Sequence, residues 1–188
     1  KAMEAANGSG AEFGIEGANG GEFGEQDYDE RYDEILSWAS AQKEISLGVR
    51  LPDQKETERA KGIIARANGS IMNTMEEIYA RETMLIKDFP KQVPLIIQAF
   101  RVGELAIAAA PCEIFVEIGL DIKAKSPFKT TFTTSLANGY NGYLPTPEHH
   151  KLGGYETWRA RSSYLEVDAS AKISNVIFEL LGKLKHGE

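Results

Sequence analysis

The sequence holds a single cysteine, Cys112, which excludes an internal disulfide and any multi-cysteine metal site. A lone cysteine next to apolar neighbours is expected to be a small buried residue. Long hydrophobic runs are absent too. The longest apolar stretches, Val93 to Phe100 and Leu105 to Pro111, fall far short of the roughly 20 residues a membrane-spanning helix needs, so no transmembrane segment is expected. Basic residues are in deficit: 21 Lys and Arg face 28 Asp and Glu, a formal charge of −7, which leaves no surplus to neutralise phosphates and argues against a nucleic-acid partner. No Gly-Lys-Ser/Thr element follows any of the glycine-rich stretches, so a phosphate-cradling loop is not indicated. The chain opens on Lys1 without a basic segment leading into an apolar one, so no signal peptide is expected within it, and a start at Lys points to processing or an artificial boundary.

What is present is enough for one domain. The 188 residues, 42% of them hydrophobic, can bury a real core or form a substantial piece of a larger domain. Residues 1–26 are rich in Gly, Ala, Asn and Glu, with a crude repeat of Asn7-Gly-Ser-Gly-Ala-Glu-Phe-Gly14 against Asn19-Gly-Gly-Glu-Phe-Gly24. They read as a flexible linker, loop or tail. Residues 27–188 read as a single α/β domain.

Within it, Tyr28, Tyr32, Ile35, Leu36 and Ala39 recur at helical spacing and predict a short helix over 27–40. Alternation of Ile45, Leu47, Val49 and Leu51 predicts a strand stopped by Pro52. Asp53 with Glu56 has the form of a capping box and opens a helix to Ala67; a second helix is predicted over 71–87, with its methionines as core filler. The clearest β signal is a hairpin, Val93 to Phe100 and Leu105 to Ala110, joined by residues 101–104 and expected to be largely buried. The segment 114–125 alternates like a strand but is taken as a helix. Lys129 to Leu136 reads as a strand, residues 138–154 as a long loop, and Val167 to Lys185 as a closing amphipathic helix. The sum is an α/β or α+β fold, a mixed sheet with helices packed against it.

Two places could carry chemistry. Glu113 follows a buried strand that ends in Ala-Ala-Ala110-Pro111, at the turn into a predicted helix, and strand ends in α/β proteins face the crevice where ligands bind. Either it complements the helix dipole, or it is an ionised carboxylate suited to a metal or to base chemistry. The loop after the next strand, Leu136-Ala-Asn-Gly-Tyr-Asn-Gly-Tyr-Leu-Pro-Thr-Pro147, sets Tyr140 and Tyr143 among glycines, and Tyr155 follows Gly153-Gly154. These phenols either donate hydrogen bonds or bind metal when deprotonated, or else they staple the loop to the core.

The order of these elements resembles the neutral/alkaline ceramidase family. In that family a Pro-x-Glu element at a strand end supplies a zinc-binding Glu, and an Asn-x-Tyr-x-x-Tyr segment supplies a zinc-binding Tyr. The matching positions are Glu113 and Tyr143. A Thr, an acidic residue and a Tyr-Glu pair follow in the family, matched by Thr146, Glu148 and Tyr155-Glu156, and the family's Tyr lies near the substrate amide. Gln98-Ala-Phe-Arg-Val-Gly-Glu-Leu-Ala-Ile107 is similar to the family's hairpin before Pro-x-Glu. The likeness covers about Val93 to Glu188 well and Ile45 to Gln92 loosely.

The resemblance implies the C-terminal portion of a zinc-dependent amidohydrolase acting on the amide of N-acyl sphingoid lipids. Glu113 and Tyr143 would bind zinc, and Tyr155 would bind substrate and take part in catalysis. It also implies a secreted, periplasmic or membrane-surface setting. Two histidines and a nucleophilic serine in a Gly-Asp-x-Ser-Pro-Asn type segment, which the family places earlier, are absent from this sequence. His149, His150 and His186 are poorly placed to replace them. The chain alone is therefore expected to be inactive: a fragment that lacks an N-terminal half, a processed subunit or a shortened relative. The alternative is a non-catalytic α/β binding module that uses the loop from Asn138 to Tyr155 as its surface.

Overall fold

The computed structural model describes residues 37–67 and 72–187. The glycine-rich segment 1–26 and most of the helix predicted over 27–40 lie outside the described residues. Its last residues do not: Trp38 to Ser40 are strand, because they extend the pairing of β1 (Trp38–Gly48) along β2 (Gln92–Val102) from Trp38↔Val102 to Gly48↔Gln92. Cross-strand hydrogen bonding over eleven residues overrides the local helical pattern.

α1 (Gln54–Arg66) starts where the capping box predicts. The Asp53 carboxylate accepts from Glu56 N–H at 2.7 Å and the Glu56 carboxylate accepts from Asp53 N–H at 2.8 Å. α2 (Met75–Ile86) carries a second capping box on Thr74 and Glu77, so it begins four residues later than the apolar pattern suggests. The two helices form a hairpin with a small core of its own, Ala60, Ile63 and Ala80, backed by Ile64 and Met84. Met75 is not core filler, since half its surface is exposed.

β2 and β3 (Leu105–Ala109) make the predicted hairpin, with a tighter turn: Val102 pairs with Leu105, and only Gly103, at φ 55°, and Glu104 lie between. β5 (Thr130–Thr134) adds parallel to β3, giving a sheet ordered β1-β2-β3-β5. α3 (Val116–Lys125) makes the crossover, as helix rather than strand, and α5 (Ala169–His186) closes the chain.

Both helices cover one face of the sheet. Leu95, Ile97, Ala99, Ala106 and Ala108 point to that side and meet Ile118, Ile122, Ile173, Ile177, Leu180 and Leu181 in the main core. Val167 lies before α5 and is exposed, and Ala171 falls on the solvent side of the helix, both outside the stripe expected for them. The opposite face has no covering layer among the described residues. There the register aligns Trp38, Val102 and Leu105 in one row and Phe100, Ile107 and Phe132 in the next, with Trp38 67% and Val102 45% exposed. The hairpin arms are thus buried on one side only.

Candidate functional site

β3 and β5 run parallel, so their carboxyl ends lie at the same edge and the segments that follow them meet there. The backbone stitches these segments together: Leu136 N–H donates to Cys112 O (3.0 Å), Ala137 N–H to Ala110 O (3.1 Å) and Asn141 N–H to Pro111 O (2.8 Å). Asn141 is held from both sides, since its side-chain amide also donates to Pro111 O and its Oδ1 accepts from the Tyr164 hydroxyl at 2.6 Å. The result is a two-stranded parallel ladder, β4 (Glu113–Ile114) and β6 (Tyr143–Leu144), in which Glu113 pairs with Tyr143. Partners in a parallel register project to one face. A chain distance of thirty residues is thereby closed to one ladder step.

Glu113 therefore stands in a strand and not at the start of a helix. Phe115 is the N-cap of α3, and Glu117 is the acidic residue of its first turn. The dipole-complementing role considered for Glu113 falls to Glu117, because Ile114 of the ladder and the N-cap Phe115 separate Glu113 from the helix.

Gly142 makes this ladder possible. At φ 74° its carbonyl accepts from Glu113 N–H (2.9 Å), and a Cβ there would lie 2.3 Å from Ser162 O. The Tyr143 N–H donates to that same Ser162 O at 2.8 Å. Residues 157–165 are anchored in turn by Arg50, whose guanidinium donates to the carbonyls of Leu165, Thr157 and Ser163 at 2.7–2.8 Å and to Ser163 Oγ at 3.0 Å. On the other side Glu82 of α2, 7% exposed, accepts two hydrogen bonds from the Arg161 guanidinium (2.9 and 3.0 Å) and one from its N–H. This pairing holds the Glu82 carboxyl below the usual carboxylate range.

Glu113 and Tyr143 open into a pocket of about 400 Å³ with Tyr155, Glu156, Ser135 and Leu136 on its walls. The rings of Tyr143 and Tyr155 meet edge to face, 5.8 Å between centroids at 83°. A hydrogen bond with Tyr143, and then the charge of Glu156, push the Tyr155 phenol above its ordinary value. Tyr155 thus stays protonated at neutral pH and offers a donor to an oxygen in the pocket. The three residues singled out in the sequence are brought together.

Tyr140, weighed in the sequence as a loop phenol, lies near the site as well, and three further residues, Leu136, Tyr79 and Trp158, went unrecognised. Burial, and then the Glu113 carboxylate beside it, raise the pKa of Tyr140. Leu136 holds φ 58° and is 49% exposed at the pocket wall, a backbone state unusual for a branched residue and typical of strained site loops. Tyr79 of α2 stands outside the pocket lining; burial and the charges of Glu82 and Glu156 raise its pKa, and its ring meets Trp158 edge-on at 5.1 Å. A Met75–Tyr79–Thr83 line at i, i+4 spacing was the available signal for this second face of α2.

The histidines lie elsewhere. Residues 147–152 are not loop but a short helix, α4 (Pro147–Leu152), capped by Thr146. On it, His149 Nδ1 lies 2.7 Å from Thr146 Oγ1, and its ring packs on Phe115. His150 has its pKa lowered by burial and by the positive charge of Arg50. Neither lines the Glu113 pocket. Among the described residues no group of three or more His, Cys, Asp or Glu could hold a metal ion. Glu113 and Tyr143 offer two oxygen-donor side chains, fewer than the three protein ligands usual at a catalytic zinc, so the described residues do not by themselves fit that ion.

No protein-family model and no curated protein matches the sequence. Solved structures do. A structure described as ceramidase complexed with C2 aligns with 54% of this chain and 16% of its own at 25% identity, with a TM-score of 0.44. The neutral ceramidase of Pseudomonas aeruginosa aligns with 80% of this chain at 19% identity, with a TM-score of 0.52, and the chain spans 29% of its length. Most of this chain thus shares the fold of a part of that neutral ceramidase.

Proposed function

We propose that this chain supplies one wall of an amidohydrolase site that cleaves the amide of N-acyl sphingoid lipids. The observation that carries the reading is the β4–β6 ladder: it sets Glu113 beside Tyr143 and under Tyr155 in one open pocket, within a ceramidase-like fold. In this reading Glu113 and Tyr143 hold part of a zinc site. Tyr155, kept protonated, donates to the carbonyl oxygen of the amide as negative charge develops there.

The remaining groups, two histidines and a serine nucleophile, come from a further part of the domain. Two features favour such a part. The chain spans only 29% of the neutral ceramidase it aligns with, and among the described residues one sheet face leaves aromatic and branched side chains uncovered.

Zinc content and hydrolysis of an N-acyl sphingoid substrate, measured in the longer protein with and without Glu113→Ala, test the reading. The expected result is loss of both with the fold retained. Unchanged zinc content removes Glu113 from the site and favours a binding module built on the Asn138 to Tyr155 loop.

A further inference from the structure

The loop at the carboxyl edge of the sheet repeats one tripeptide, Asn138-Gly139-Tyr140 followed directly by Asn141-Gly142-Tyr143. An Asn-Gly pair is chemically labile, because a residue without a Cβ lets its main-chain nitrogen approach the side-chain amide before it. That nitrogen attacks the Asn Cγ, the bond from Cγ to Nδ2 breaks, and ammonia leaves. Water then opens the succinimide ring at either carbonyl, giving aspartate or isoaspartate. The two pairs have the same local chemistry but different surroundings.

Ring closure needs rotation about the Asn Cα–C bond, which carries the next nitrogen to Cγ. Three hydrogen bonds fix Asn141 against it. Its Nδ2 donates to Pro111 O at 3.2 Å, its Oδ1 accepts from the Tyr164 hydroxyl at 2.6 Å, and its N–H donates to Pro111 O at 2.8 Å. Gly142 is equally confined. It is buried, its carbonyl accepts from Glu113 N–H at 2.9 Å, and it packs so closely on Ser162 that a Cβ would stand 2.3 Å from the carbonyl oxygen there.

Asn138, Gly139 and Tyr140 are all exposed. Asn138 sits in a local turn at φ 60°, a state its short polar side chain tolerates. Among the described residues, the main chain of 138–140 makes no hydrogen bond to another segment. The Asn138 amide donates to Gln98 Oε1, an exposed contact. Rotation here disturbs that contact and the turn, and leaves the β4–β6 ladder in place.

We propose that Asn138 is a site of spontaneous deamidation in the folded protein, and that Asn141 is spared. The product carries a carboxylate where Gln98 Oε1 now takes an N–H donor, so the line of amides Gln42–Gln98–Asn138 loses its last link. It also adds a negative charge two residues before Tyr140. Neither reaction depends on what the Glu113 pocket binds. Asn7, Asn19 and Asn68 also precede glycine but lie outside the described residues.

The test compares the full chain held at mildly alkaline pH, folded and in urea. Trypsin releases residues 130–151 as one peptide, since no Lys or Arg lies between Lys129 and Lys151, and fragment masses assign each exchange of NH2 for OH. In the folded chain Asn138 should react at least about tenfold faster than Asn141, because two or more hydrogen bonds must first open at Asn141. In urea the two rates should converge to within about twofold, since the tripeptides are the same and the tertiary bonds are gone. Gly139→Ala, whose Cβ would meet Pro111 Cβ at an ordinary 3.4 Å, should slow the reaction at Asn138 in the folded chain and leave that at Asn141 unchanged.

Equal rates at the two residues in the folded chain, or a faster reaction at Asn141, overturns the proposal. So does an Asn138 that is lost in urea yet stays intact in the folded chain, because the turn would then hold its peptide as firmly as the ladder holds that of Asn141.

Discussion

Gly142→Ala is the substitution that most directly tests how the site is assembled. The backbone at φ 74° costs an L-residue about 1–2 kcal/mol. The added Cβ would also lie 2.3 Å from Ser162 O and 2.5 Å from Ser162 C, both main-chain atoms that no rotamer change can move. Relief requires residues 142 and 162 to separate, which breaks the Tyr143 N–H bond to Ser162 O and strains that of Glu113 N–H to Gly142 O, at about 0.5–1.5 kcal/mol each. The expected destabilisation is about 3 kcal/mol, or roughly 6–12 °C in melting temperature for a chain of this size. Gly187→Ala is the control: its φ is also 74°, but its Cβ would meet nothing within 4 Å, so only the backbone cost of about 1 kcal/mol applies. Urea denaturation of both variants, followed by tryptophan emission, gives the two values. If Gly142→Ala falls within 0.5 kcal/mol of Gly187→Ala, an amount roughly the scatter of independent sites, the tight approach to Ser162 is not what builds the ladder.

Two further outcomes follow from buried groups. Glu82 has its folded-state pKa lowered by Arg161, so the stability it contributes is present above the unfolded value of about 4.3 and is lost as pH falls through the folded value. Glu82→Gln should therefore destabilise by about 1.5 kcal/mol at neutral pH, the low end for charged hydrogen bonds because Arg161 is half exposed, and the gap from the parent should close in acid. A gap that is constant with pH would refute the charge pairing. The Cys112 thiol is fully buried and pushed up to about 12 by that burial, so a thiol reagent at mildly alkaline pH should leave it untouched in the folded chain and label it promptly in denaturant. Labelling of the folded chain at the unfolded rate would place Cys112 outside the core.

The sequence was most legible where one residue acts on its neighbours. Asp53 and Glu56 announce the start of α1 because both halves of a capping box lie within one turn. The β2–β3 hairpin follows from two apolar runs and a glycine between them. The helix expected at Trp38 to Ser40 failed because its periodicity competes with eleven cross-strand pairs formed by residues more than forty positions away. The two-residue strand at Glu113 was hidden for a related reason: so short a strand has no period of its own and exists only because Tyr143 runs beside it.

What the amino-acid order determined by itself is the set of local elements and the identity of Glu113, Tyr143 and Tyr155, since caps, periodicities and an ordered motif are read along the chain. Their meeting was decided by tertiary structure. Parallel pairing of β3 with β5 puts both strand ends at one edge, Gly142 lets residue 162 approach within contact, and Arg50 and Glu82 fix the segment that carries Ser162. The meeting of Tyr79 with Trp158 belongs to that second level too. They lie on separate elements, and their edge-on contact forms only when α2 and the Arg50-anchored segment pack together.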